Sequence, residues 1–282
     1  MKKNLNDIIL IPTDFSEVCN NAIEHGLVLA KSLSYRVFLL HVINKDTKQY
    51  LEDENLTRET IVEKLDKISA EYTKQYGIQV EYLIKSGNFF NKVEKVADKL
   101  AVKLIILGTH GKVGFQKITG SYALKVITTT NVPTIVVQKK AYQAGYKHIV
   151  FPVTATTQDR QKVVWAVNIA KTFDATVHLF PKFESEKYYK SKIISITKQI
   201  KILFDKYDIK YVDKVSEPGA GNFAKQIIDY AVENQADLIM TLISDDKALP
   251  IFTSVDEQII FNTSQIPVIC INPVNSKFTS WH

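Results

Sequence analysis

The hydrophobic and polar positions of the chain fall into a regular alternation of two patterns. Short continuous apolar runs, such as "DIILIPT", "RVFLLHVI", "QVEYLIKSG", "KLIILGT" and "PTIVVQ" in the first half, predict strands. A run apolar at every position has no wet face, so such strands are covered on both sides, as in a mostly parallel sheet. Between them lie segments with apolar residues at helical spacing, which predict helices over about 17–33, 55–76, 89–100 and 121–130. Alternating strand and helix of this kind gives an open, doubly wound α/β fold.

The pattern occurs twice. With a constant offset of 140, Ile9 to Val42 lie over Ile149 to Lys182, matching Pro12 to Pro152, Ala30 to Ala170, Lys31 to Lys171 and Val37 to Val177. From Gly87 onward the offset becomes 134, which places "GNF" on "GNF", Leu104 on Leu238 and Pro133 on Pro267. An ungapped match of that length marks two copies of one domain. The expected boundaries are 1–140 and 146–275, each with a Rossmann-like, mostly parallel five-stranded sheet.

Composition changes this picture little. The 282 residues are 45% hydrophobic and 23% charged, as in ordinary globular proteins. The first residues carry too short an apolar run for a signal peptide or a membrane span, and Cys19 and Cys270 form no disulfide framework. A cytoplasmic protein without membrane or nucleic-acid partners is therefore expected. The net charge of +6 is modest. The densest lysines, in "KYYKSKIISITKQIK" from Lys187, accompany Ile193, Ile196, Ile200 and Leu203 at helical spacing and read as the wet face of an amphipathic helix.

Candidate chemistry gathers in "GTHGKVGFQKITGS", Gly108 to Ser121, which holds four of the ten glycines and follows the strand "LIIL". In a doubly wound sheet, ligands bind beyond the carboxyl ends of the strands. Bare backbone and a helix start suit an anion such as phosphate. Asp14, after the first strand, could accept from a ribose hydroxyl, and Val42 could offer an apolar wall to a base. Each feature also has a plain structural reading: glycines for tight turns, Asp14 as a helix cap. Together they favour a nucleotide. His110 and Lys112, within the loop, could approach a phosphate, although both residue types are common in plain loops. The pattern contains neither G-x-x-x-x-G-K-[ST] nor G-x-G-x-x-G after a strand. The six histidines have no ligand spacing, and no metal site or catalytic constellation is expected.

"PTDFS", "GTHGKVGF…GS" and "VPTIVV" resemble the universal stress protein family, and two copies resemble its tandem members. The ATP-binding branch of that family carries G-x2-G-x9-G-[ST]; here eight residues, not nine, separate Gly111 from Gly120. The resemblance implies a stress-response protein that binds ATP, or ADP or AMP, with Mg2+ accompanying it, and acts as a binding module or switch with protein partners. It implies that Asp14 holds the base or ribose, that Pro12, Thr13 and Val42 line the adenine site, and that Leu107 lies beside the ribose. The amides of Gly108, Gly111, Gly120, Ser121 and Tyr122 would cradle ribose and phosphates. It also implies that "PTIVVQ" and "PVICIN" meet in an intramolecular pseudo-dimer; a homodimer of the whole chain is compatible with this. A slow ATPase and a nucleotide-free scaffold are the alternatives. The second copy has Thr154 over Asp14, Lys182 over Val42, and Leu242, Asp245, Ser254 and Val255 over the glycine-loop positions. The single expected nucleotide site is therefore in the first copy.

Overall fold

The computed structural model describes residues 7–109, 120–140, 145–243 and 254–273. The first half runs β1 (Ile8–Pro12), α1 (Glu17–Leu33), β2 (Arg36–Ile43), α2 (Lys45–Asp53), α3 (Arg58–Tyr76), β3 (Val80–Ser86), α4 (Phe89–Lys99), β4 (Leu104–Gly108), α5 (Gly120–Thr129) and β5 (Thr134–Val137). The second half runs β6 (His148–Val153), a 3-10 turn (Thr157–Lys162), α6 (Val163–Phe173), β7 (Thr176–Pro181), α7 (Lys187–Lys206), β8 (Tyr211–Asp213), α8 (Phe223–Glu233), β9 (Leu238–Leu242), α9 (Ser254–Ile260) and β10 (Val268–Ile271).

All ten strands form one sheet in the order β3-β2-β1-β4-β5-β10-β9-β6-β7-β8. Within each half the pairing is parallel; the halves join where β5 and β10, the two segments expected to meet, pair antiparallel, with Ile135 opposite Ile269. Two five-stranded sheets are thus one continuous ten-stranded sheet. Side chains cross the same seam. Asn272 donates to the carbonyls of Ile127 and Thr130, and Gln138 donates to that of Asn262. One apolar cluster runs through both halves, from Ile9, Leu39 and Leu65 to Phe151, Leu179 and Phe204.

The repeat persists in the register. Ile9 pairs with Leu104 and Ile149 with Leu238, so both offsets read from the sequence are kept. The repeated "GNF" is a strand-to-helix turn in each half. Gly87 and Gly221 take φ of +127° and +88°, and the following Asn88 and Asn222 cap α4 and α8. Glycine is required there because side chains disfavour that backbone region. One element departs from expectation: Lys45–Asp53 forms α2, between β2 and α3.

Candidate functional site

The strand order places the topological switch between β1 and β4. These strands pair at Ile9–Leu104 and Leu10–Ile105, near their amino ends. Beyond those positions each follows its outer neighbour instead. Thr13 N donates to the Leu40 carbonyl, and Thr109 N to that of Val137. A crevice therefore opens at the carboxyl ends of β1 and β4, where such sheets bind ligands.

Pro12, Thr13 and Asp14 line one lip of this crevice and Leu107 and Gly108 the other, all of them buried. Val42, on the neighbouring strand, is buried in the apolar cluster that also holds Leu40, Phe89 and Leu107. Asp14 Oδ1 accepts from Ser16 N at 3.0 Å, while Ser16 itself caps α1. Asp14 Oδ2 is buried without a hydrogen-bond partner among the described residues. An acceptor left unmade in the interior costs about 1–3 kcal/mol, more when charged. The capping reading of Asp14 thus accounts for one oxygen and leaves the other for a donor.

Gly108 has a packing reason of its own. A Cβ there would lie 2.7 Å from the Val18 carbonyl oxygen of α1, so the glycine lets α1 approach β4. Gly120 opens α5, with Ser121 and Tyr122 in its first turn. The half-buried Tyr122 ring packs 4.9 Å from that of Phe90. Gly111, like His110 and Lys112, lies outside the described residues.

The residue that sequence reasoning passed over is His41. Its Nδ1 lies 2.9 Å from the Thr13 carbonyl and donates to it, its ring stacks on Phe15 at 4.7 Å, and its Nε2 is buried without a partner among the described residues. Burial lowers its pKa, which keeps the imidazole neutral. Two orphaned polar atoms, one carboxylate oxygen and one ring nitrogen, thus adjoin the Pro12–Phe15 turn. Phe15 itself is held at φ +65°. The sequence holds no spacing pattern for it; its one hint is position, directly before Val42 at the same strand end. Below the turn, Cys19 is pushed up to about 12 by burial, with the Asp14 charge adding to the effect.

The second half builds the same place differently. Its β6 and β9 also part after two paired positions. Asp159 and Lys162, at the positions of Cys19 and Ala22, form a salt bridge of 2.7 Å with both side chains 2% exposed. Asp159 Oδ2 accepts from Thr154 N at 2.6 Å and from Thr154 Oγ1 at 2.8 Å. Lys162 Nζ donates to the Pro152 carbonyl at 2.5 Å and lies 4.6 Å from the Phe151 ring. The carboxylate has moved one helical turn inward and brought its own cation, so neither charge waits for a ligand. The exposed-cleft volume beside this pair is about 550 Å3. Asp245, which the repeat places over Gly111, lies outside the described residues. No group of metal-ligating side chains occurs among the described residues, and no helix there is long and apolar enough to cross a membrane.

A doubly wound sheet repeated in one chain, with an acceptor left unpaired among the described residues at one switch point and a paired one at the other, defines a tandem α/β pair of the doubly wound class. The model of the Universal stress protein family matches residues 6–138 and again 145–272, and the chain belongs to that family. Universal stress protein MJ0531 of Methanocaldococcus jannaschii is 30% identical over 145 residues, covering 49% of this chain and 85% of the relative. Universal stress protein MJ0577 of the same organism is 30% identical over 154 residues, covering 47% and 94%. A universal stress protein structure from Archaeoglobus fulgidus DSM 4304 superposes with a TM-score of 0.71 at 18% identity, covering 96% of this chain and 99% of that one. A putative universal stress protein from Pseudomonas aeruginosa UCBPP-PA14 gives 0.66 at 13%, covering 96% and 94%. The last two likenesses extend over both halves and concern the fold.

Proposed function

We propose that the first half, residues 1–140, binds an adenine nucleotide, ATP or its ADP or AMP counterpart, in the crevice between β1 and β4. The protein then acts as a nucleotide-responsive binding module in the cytoplasm. The observation that carries this reading is the buried Asp14 Oδ2, without a partner among the described residues, at the parting of the strands. A ribose hydroxyl supplies the donor that this oxygen lacks. Pro12, Thr13, Val42 and Leu107 give the apolar surroundings a base requires, and the amides that open α5 at Gly120, Ser121 and Tyr122 suit a phosphate. Gly111 and Mg2+ belong to the same proposal. The second half, residues 146–275, has closed its equivalent oxygen with Asp159 and Lys162 and serves as a partner domain.

Thermal shift and isothermal titration with ATP, ADP and AMP test this. The full chain should bind one equivalent, and Asp14→Ala should weaken binding at least tenfold, the loss of one charge-assisted hydrogen bond of about 1.5–3 kcal/mol. Two equivalents, or binding unchanged by Asp14→Ala, would refute the assignment. Absence of binding by every nucleotide would leave the scaffold reading standing.

A further inference from the structure

The two halves differ in one large respect outside the nucleotide crevice. Between β2–β3 and β7–β8 the repeat offset falls: Val37 pairs with Val80, whereas Val177 pairs with Tyr211, so 140 becomes 131. The nine lost residues equal the length of α2, Lys45–Asp53. In the first half α2 follows the end of β2. Leu51 packs against the cluster that buries Ile43, Ile61 and Leu65, and Ile84 is half-buried there.

In the second half nothing among the described residues takes the place of α2. Phe183, at the position of Ile43, is 39% exposed where Ile43 is 5% exposed. Val215, at the position of Ile84, is 52% exposed, and Ile194 beside it on α7 is 59% exposed. These residues and Pro181 line a groove of about 370 Å3 between α7 and the sheet edge at β8. Lysines border it. Lys182 and Lys201 pair with Glu184 and Asp213, while Lys190 and Lys198 make no ion pair among the described residues.

We infer that this groove is a docking site for a short acidic amphipathic helix of a partner protein. The internal repeat supplies the length of the occupant. α2 is a nine-residue helix that presents Thr47, Tyr50 and Leu51 on one face and Glu52 and Asp53 at its end. The lysine border supplies the charge preference: an acidic helix gains from Lys190 and Lys198, and a basic one is repelled.

The test uses the full-length chain and a fluorescein-labelled, stapled peptide of residues 44–54, NKDTKQYLEDE, with a second version in which both lysines are glutamate. Fluorescence anisotropy should show saturable binding, tighter for the glutamate version and weaker as salt rises. Ile194→Glu and, separately, Val215→Asp should weaken binding at least tenfold; both positions are solvent-facing, and circular dichroism checks that the fold is kept. Lys190→Glu combined with Lys198→Glu should weaken it severalfold. Val164→Glu, at an exposed residue of α6, should leave it unchanged. No saturable binding by either peptide, or binding indifferent to Ile194→Glu and Val215→Asp, overturns the inference. Sodium oleate bound in an Ile194-dependent way without peptide binding would assign the groove to a small anionic amphiphile instead. Self-association in sedimentation velocity that Ile194→Glu abolishes would assign it to a second copy; either result also overturns the inference.

Discussion

Lys162→Met removes one partner of the buried pair in the second half and keeps most of the side-chain volume. The Asp159 carboxylate, 2% exposed, then keeps only Thr154 as a donor among the contacts described and loses its cation at 2.7 Å. Stranding one charge of a buried pair costs about 3–5 kcal/mol. At roughly 2–4 °C per kcal/mol for a unit of 150–250 residues, the melting temperature should fall by about 6–20 °C. Replacing both partners, as Asp159→Asn with Lys162→Met, leaves an amide oxygen to accept from Thr154 and removes both charges. Because apolar replacement of a whole buried pair is often nearly neutral, the double variant should lie within about 2 kcal/mol of the parent. Urea unfolding followed by circular dichroism and tryptophan emission gives all the values needed for a double-mutant cycle. A loss under about 1 kcal/mol for Lys162→Met, or single-variant losses that simply add, would refute the view that the two charges satisfy each other as a unit.

Gly108→Ala places a methyl group against the Val18 carbonyl and should destabilise the first half by about 1–3 kcal/mol in urea titrations, with or without nucleotide. His25 is buried beside the Tyr146 hydroxyl, and burial lowers its pKa to about 3 from 6.5. The unfolded chain therefore takes up the proton first, so stability is full above pH 6.5 and falls on acidification toward pH 3. By pH 5 the loss should reach about 2 kcal/mol, measurable by urea titration at each pH, and His25→Phe should flatten the curve over that range. The lowered pKa values of His41 and His178 act with the same sign. Cys19 and Cys270 are buried thiols with raised pKa values, so neither should react with Ellman's reagent at pH 8 until urea is added.

The fold was legible where residues follow one period over a long stretch. Ile8–Pro12, Arg36–Ile43 and Leu104–Gly108 are apolar at nearly every position because helices cover both faces, and the repeat made each half a check on the other. The segment Lys45–Asp53 was not legible as a helix. Of its residues only Thr47 is buried and five of the nine are charged, so its amphipathic signal spans a single turn. The crevice residues Asp14 and Val42 were visible from their place at strand ends. His41 was not, because a lone histidine within an apolar strand carries no spacing signal, and its neutral state follows from packing under Phe15. The pairing of Asp159 with Lys162 escaped for a different reason. An aspartate and a lysine three residues apart on a helical turn ordinarily face water; only the tertiary structure shows both turned inward. Gly108 was expected for its amide, while the structure adds a steric demand from α1 that composition does not reveal.

The antiparallel seam between β5 and β10 has a consequence for how the molecule can diverge. In an assembly of identical subunits, any substitution appears on both sides of the interface, and two equivalent pockets change together. Here the partners are joined covalently and differ in sequence, so one buried carboxylate can be matched by its own lysine while the other has an oxygen without a donor. Covalent linkage thus turns a two-fold arrangement into a fixed asymmetry, with one unpaired and one ion-paired buried carboxylate in every molecule at every concentration.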